Sequence, residues 1–312
     1  MNHEFPHNLL VILGPTASGK TRLAAHLAYL LNGEIISADS RQVYRDMNIG
    51  TGKDYKEYVV NGTHIPTYLI DIMDAGTRYN LNQFSTDFDE AFQVIQLHKK
   101  LPVLCGGSGL YLQAALSDLV FTAIPINEVL RTELLQHDLA LLKHIFNTLP
   151  KTAYTSLADL STIKRVVRAI EICRHLIQHP QFVLKKTRHV KSFIIGLNPP
   201  LEVRRKKISD RLKSRLNNGL IAEVELLIKK GIEPAMFEYY GLEYKFVWRY
   251  LQGYITYQAL FELLEIAIHQ FAKRQMTWFR KMEKDGFHIH WLTNQHDTVE
   301  QMKECMVLLQ EN

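Results

Sequence analysis

At 312 residues, 46% hydrophobic and 22% charged, the chain has a globular composition, with room for one large domain or for a core carrying an inserted module. No run approaches the ~18 apolar residues of a membrane-spanning helix, and MNHEFPH at the N-terminus lacks the basic-then-apolar order of a secretory signal. Cys105, Cys173 and Cys305 are odd in number and far apart, so neither a disulfide framework nor a zinc knuckle is expected, and a reduced, cytoplasmic setting is.

The first element is an apolar strand at 9–13, of the kind buried on both faces of a parallel sheet. GPTASGKT follows it and fits G-x-x-x-x-G-K-[ST] at every fixed position, and Leu23, Leu27, Leu30 and Leu31 then mark an amphipathic helix. Gly14, Pro15, Thr16, Ala17, Ser18, Gly19, Lys20 and Thr21 thus form a diphosphate-binding loop. Its amides turn inward at the positive end of a helix dipole, Lys20 adds a point charge, and the Thr21 hydroxyl is the expected ligand of Mg²⁺. The loop reads diphosphate geometry and does not by itself identify ATP.

Two further strands, at 34–38 and 67–72, end in Asp39 and Asp71, both at carboxyl ends where a parallel sheet faces its ligand. Asp39 sits in the richer loop, with Ser40, Arg41, Gln42 and Tyr44, and a strand-end or loop-capping role suits Asp71 better. Phe84, Phe88, Phe92 and Ile95 make a helical core stripe. A strand at 103–105 runs into Gly106-Gly107-Ser108-Gly109, where a nucleotide hydrolase would often carry an acidic pair. Glycines there permit close backbone approach to a ligand, or simply make a tight turn.

Alternation then lapses, and 120–191 reads as helical, with helices at 128–146 and 162–178. The second buries Ile163, Val166, Val167 and Ile170 and projects Lys164, Arg165 and Arg168 from a neighbouring face, which suits a phosphate backbone. Net charge is only +5, yet residues 151–215 hold 16 Lys and Arg against 4 Asp and Glu, so the rest of the chain is net acidic. Such a stretch fits either a polyanionic partner or a solvated basic surface. Strands resume at 192–197 and 288–292. Between them Arg204, Arg211 and Arg215 share a face beside the stripe Ile208–Leu212–Leu216, with Arg211 at the stripe's edge. An arginine there suits a departing diphosphate, or packs its stem on apolar surface. In IHQFAKRQMTWFRKM, Phe271, Met276 and Phe279 are expected inside and Lys273, Arg274, Arg280 and Lys281 outside. The fourteen histidines show no metal signature; His175 and His179 lack a third ligand and read as surface. The fold expected is α/β: a P-loop-type parallel sheet flanked by helices, formed by residues 1–119 and 192–312, with an all-helical insertion at 120–191.

GPTASGKT, IISADSRQVYRDMNIGTGK, LIDI, YNLNQF, LPVLCGGSGLY, IKRVVRAIEI, ISDRL, GLIAEV, GLEYKFVWRYLQG and AKRQMTWFR, in that order, resemble the tRNA dimethylallyltransferases. The resemblance implies transfer of a dimethylallyl group from dimethylallyl diphosphate to N6 of the adenosine 3′ of the anticodon, with Mg²⁺ and without ATP. It implies Asp39 as general base, Thr16 on the bridging oxygen, and Lys20, Arg211 and Mg²⁺ on the terminal oxygens. It also implies tRNA contacts from Asp39, Ser40, Arg41, Gln42, Ser108, Arg131, Lys164, Arg165 and Arg168, while Lys273 and Arg274 are tRNA candidates from the interleaved cations and aromatics of their helix, a pattern a solvated helix also shows. The partners expected are the tRNA anticodon stem-loop and dimethylallyl diphosphate, with no membrane and a monomeric chain. Ser108 stands where the family usually has Thr, Glu243 where it usually has Gly, and Gln178–Pro180 replaces a Thr-Gly-containing turn. Three rivals remain: a small-molecule kinase, a prenyltransferase of free AMP or ADP, and a non-catalytic RNA-binding protein.

Overall fold

Short apolar runs separated by amphipathic helices assemble into a six-stranded sheet in which every pairing is parallel. The computed structural model describes residues 6–117, 119–182, 189–293 and 297–311, so MNHEF and the basic Lys185, Lys186 and Arg188 lie outside the described residues. The chain divides into two compact units, residues 1–117 with 189–312, and residues 118–188.

In the first unit the order along the chain is β1 (Leu9–Leu13), α1 (Lys20–Leu30), β2 (Gly33–Ala38), β3 (Val59–Val60), β4 (Thr63–His64), β5 (Thr67–Tyr68), α2 (Leu81–Leu97), β6 (Leu101–Gly106) and α3 (Gly109–Leu116). The second unit contributes α4 (Glu128–Leu134), α5 (Leu139–Thr148) and α6 (Ile163–Gln178). The first then resumes with β7 (Ser192–Gly196), α7 (Leu201–Asn217), α8 (Leu220–Lys229), α9 (Pro234–Tyr239), α10 (Leu242–Leu251), α11 (Tyr257–Lys284), β8 (Ile289–Trp291) and α12 (Thr298–Glu311).

The sheet order is β5-β2-β6-β1-β7-β8. All of β1 is buried, and Leu10 is flanked by Val103 of β6 and Phe193 of β7. A core cluster joins Leu23 and Leu27 of α1 to Ile12, Val103, Ile195 and Cys305. Because β2, β6 and β1 are adjacent and parallel, the loops after Ala38, Gly106 and Leu13 emerge side by side at one edge of the sheet. All three cysteines are buried free thiols, and among the described residues no helix is long and apolar enough to cross a membrane.

Four local expectations change. The strand at 67–72 stops at Tyr68, because Leu69 (φ 63°) and Asp71 (φ 56°) leave the extended region. The turn delivers Asp71 to the buried Lys53, 2.5 Å away, and to the Tyr55 hydroxyl, also 2.5 Å away, so Asp71 has the structural role. The helix at 128–146 is two helices, since Asp138 caps a new start by accepting from the Leu141 amide at 2.8 Å. Ile163 and Phe271 are exposed rather than buried, while Met276 and Phe279 are buried as expected.

Within the second unit, Leu130, Leu134, Leu142 and Phe146 pack against Val166, Val167 and Ile170 of α6. Among them Glu171 is only 2% exposed. Its carboxylate accepts from Arg131 Nε at 3.1 Å and Nη2 at 3.0 Å, from the Asn127 amide at 2.6 Å, and from Arg168 Nη1. Arg168 Nη2 also donates to the Ile124 carbonyl at 2.7 Å. Burial alone would push the Glu171 carboxyl up; the hydrogen bonds from Arg168, Asn127 and Arg131 outweigh it and hold the group below its ordinary value. A carboxylate whose folded value is depressed stabilises the fold above its unfolded value and ceases to do so as pH falls through the folded one. Amide hydrogen exchange over residues 163–178 is therefore expected to accelerate, relative to the rest of the chain, as pH is lowered below the ordinary glutamate range. Glu171→Gln should accelerate it at neutral pH and remove that dependence.

Candidate active site

The loop after β1 wraps back on the start of α1, with Ala17 at φ 62° and Gly19 at φ 91°. Lys20 begins the helix, and its ammonium donates to the Pro15 carbonyl at 3.5 Å. Burial, opposed by Cys105 and Asp39, lowers its proton affinity. Thr16 turns its hydroxyl to Arg211 of α7, whose Nη2 donates to it. Burial, then the charge of Arg215, pulls the Arg211 guanidinium down to about 9, which leaves it a cation at neutral pH.

Asp39 follows β2 directly. Its Oδ1 accepts from the Arg41 amide at 2.9 Å, while Oδ2 accepts nothing among the described residues. The Arg41 guanidinium lies 4.6 Å from the Tyr239 ring centre, and Gln42 is held by the Ser37 hydroxyl at 3.1 Å and the Gly52 carbonyl at 3.3 Å. The Ser40 amide donates to Ser108 Oγ at 3.4 Å, linking the loops after β2 and β6.

One residue that the sequence reading quoted but assigned no role holds this arrangement together. Gln275 of α11 is 7% exposed; its Oε1 accepts from the Thr16 amide at 2.8 Å and its Nε2 donates to the Gly107 carbonyl at 2.8 Å. A side chain at Gly107 would start 2.5 Å from that Nε2, which is why glycine stands there. The signal was legible: Gln275 interrupts the buried stripe of Ile268, Ala272, Met276 and Phe279 with an amide.

Lys20, Thr21, Asp39, Ser108 and Arg211 line one cavity of about 530 Å³, together with Thr16, Ser40, Arg41, Gln42 and Arg274. Tyr58, Tyr111, Tyr240, Ile268, Phe271 and Trp278 supply its apolar wall. A second cavity of about 750 Å³ shares Lys20, Thr21, Arg211 and Arg215 with the first, and adds Arg22, Lys56 and Lys207 with Asp54 and Glu57. The cation candidates differ in what they touch. Arg274 is exposed and lies 5.9 Å from the Phe271 ring centre; Lys273 and Lys164 are exposed. Arg165 pairs with Asp159 at 2.7 Å, whereas Arg131 and Arg168 are engaged by Glu171.

Among the described residues no three His, Cys, Asp or Glu side chains converge as a metal nest. The Thr21 hydroxyl lines both cavities, and such a donor fits a hard cation completed by phosphate oxygens and water.

The parallel sheet, the loop at its edge and the part-polar, part-apolar cavity beside that loop form one site. The model of one family, IPP transferase, matches residues 42–282. A relative named tRNA dimethylallyltransferase 2, from Phocaeicola vulgatus, is 49% identical over 92% of this chain and 92% of its own. One named tRNA dimethylallyltransferase 1, from Porphyromonas gingivalis, is 47% identical over 97% of this chain and all of its own. The crystal structure of a tRNA isopentenylpyrophosphate transferase from Bacillus halodurans superposes with a TM-score of 0.70 at 28% identity, covering 98% of this chain and 97% of that one. The chain belongs to the IPP transferase family and is a transferase.

Gln275→Leu leaves the Thr16 amide and the Gly107 carbonyl without partners, so a loss of about 1–3 kcal/mol in urea denaturation is expected. The remaining folded protein should show a reduced turnover number as the Thr16 hydroxyl loses its fixed direction.

Proposed function

We propose that the chain transfers the dimethylallyl group of dimethylallyl diphosphate to N6 of the adenosine 3′-adjacent to the anticodon in tRNA. The observation that carries this reading is the convergence of the Thr16–Arg211 pair, Lys20 and the unengaged Oδ2 of Asp39 on one half-apolar cavity.

An exocyclic adenine amine is a weak nucleophile because its lone pair is delocalised into the ring. Attack on C1 of the allylic group forms the N–C bond as the C1–O bond breaks, and the electron pair leaves with the diphosphate. Asp39 takes the N6 proton, which keeps the product neutral at nitrogen. Charge gathers on the bridging oxygen first, where the Thr16 hydroxyl, polarised by Arg211, donates; Lys20, Arg211 and the amides of residues 19–21 hold the terminal oxygens. Mg²⁺, held by Thr21 and the diphosphate, would supply further neutralisation of that group. The Tyr58, Tyr111 and Trp278 side of the cavity excludes water, which would otherwise capture an allylic cation.

The adenosine has to leave its stack, at a cost of roughly a few kcal/mol. Ser40, Arg41, Gln42, Ser108, Lys273 and Arg274 would receive it and its neighbours. In the second unit Lys164 and Arg165 are the side chains offered to phosphates, and Arg131 and Arg168 contribute through donors that Glu171 leaves over. That unit is the proposed reader of the anticodon arm, and the chain is proposed to act as a cytoplasmic monomer.

Purified protein incubated with Mg²⁺, labelled dimethylallyl diphosphate and unmodified tRNA should yield, after digestion, an adenosine heavier by one prenyl group. Asp39→Ala should abolish the product with the fold intact, and Arg211→Ala should slow it by roughly 10²–10³. Chelation with EDTA should stop turnover, and added Mg²⁺ should restore it. Label on AMP and none on tRNA would sink the proposal.

A further inference from the structure

Arg211 and Arg215 stand one helical turn apart on α7, and both line the two cavities that meet at the phosphate loop. They are differently occupied. Arg211 donates to the neutral Thr16 hydroxyl. Arg215 donates through Nη1 to Glu243 Oε1 at 3.1 Å and to the Gly50 carbonyl at 3.4 Å. The pair is well sheltered, with side chains 12% and 19% exposed. Glu243 projects from the first turn of α10, and the guanidinium lies so close against Gly52 that a Cβ there would come within 1.9 Å of Nη2. The Arg215–Glu243 pair therefore stands at the junction of the two cavities and cancels one of the charges placed there for an anion.

We infer that Glu243 is a built-in competitor of the diphosphate for Arg215, and that it sets how tightly the reaction's diphosphate product is held. The inference rests on the phosphate-loop reading above and deepens it. A diphosphate on the loop carries more charge than a carboxylate and offers oxygens on several sides, so a guanidinium beside it gains by turning from the carboxylate to the phosphate. With Glu243 present, that turn breaks an existing sheltered pair, so the net gain is small and release stays easy. Without the carboxylate the same guanidinium is already short of a partner, and the diphosphate gains the whole interaction.

The test is calorimetric titration of inorganic diphosphate, in Mg²⁺ buffer, into the full chain and into Glu243→Gln, Arg215→Met, the double variant and Lys20→Ala. Glu243→Gln should bind diphosphate about threefold to tenfold more tightly and show product inhibition strengthened by the same factor. A damaged fold would weaken binding, so a gain cannot arise from a merely structural effect. In the Arg215→Met background, or with Arg215→Gln should the methionine variant not fold, Glu243→Gln should have little further effect. Unchanged or weaker binding by Glu243→Gln overturns the inference, as does equal tightening without Arg215, which would make Glu243 a distant field and not a competitor. Binding that is lost in Lys20→Ala yet indifferent to Glu243 defeats the inference alone. No binding to the unaltered chain defeats both it and the phosphate-loop reading.

Discussion

A diphosphate spreads its charge over many oxygens, and holding one in place as it departs takes cations and amides fixed around a single point before it arrives. The site proposed for it is built on a contact across 195 positions of chain, the Arg211 guanidinium on the Thr16 hydroxyl. The contact exists because β7 pairs directly with β1, so that the residues following β7 return to the loop following β1. Whatever lies between β6 and β7 must then leave the sheet and come back. The sheet imposes no limit on its size, which is why a whole helical unit fits there.

The same geometry explains how cations of one type come to differ. Lys53 is buried and spent on Asp71 and the Tyr44 carbonyl, fastening the segment that carries Asp39 to Gln42. Glu223 fastens it from the other end, accepting from the amides of Asn48, Ile49 and Gly50 at 2.7–3.0 Å and from the Tyr244 hydroxyl at 2.7 Å. Arg131 and Arg168 organise a buried carboxylate, and their usefulness to a phosphate is limited to the donors left over. Lys20 and Arg211 are partly buried without a carboxylate partner among the described residues, which raises the cost of their charge until an anion comes. That latent cost would become binding strength for the proposed diphosphate, at the loop where both cations stand.

Asp39 completes the arrangement from the opposite direction. One of its oxygens is tied to the Arg41 amide and fixes the carboxylate, the other accepts no hydrogen bond among the described residues, and the side chain lines the cavity. The proposed attack by a weak neutral nucleophile needs a base that does not wander, and the turn at residues 39–41 would provide one at the tip of a buried strand. The loop after β6 lies between it and the phosphate loop, held by Gln275 on one side and by the Ser40 amide through Ser108 on the other.

The strands at 9–13 and 192–196, the strand-to-helix loop between 13 and 20, the strand-end position of Asp39 and the edge position of Arg211 were all legible in the sequence, because apolar periodicity and glycine spacing are local properties. So was the lapse in alternation that marks the helical segment. Not legible was which polar groups are used up internally. Nothing local tells that Arg168 and Arg131 share Glu171, that Glu243 faces Arg215, or that Phe271 is turned out beneath Arg274. Gln275 stood in a quoted motif, yet its task depends on two loops more than 160 residues away. The strand at 67–72 ends early, before Leu69, and the Asp71 that follows meets a lysine from 18 residues upstream. Sequence determined the elements and the chemistry-bearing residue types, and tertiary structure decided their partners, because a hydrogen bond or ion pair is fixed by the distance between atoms and not by their separation along the chain.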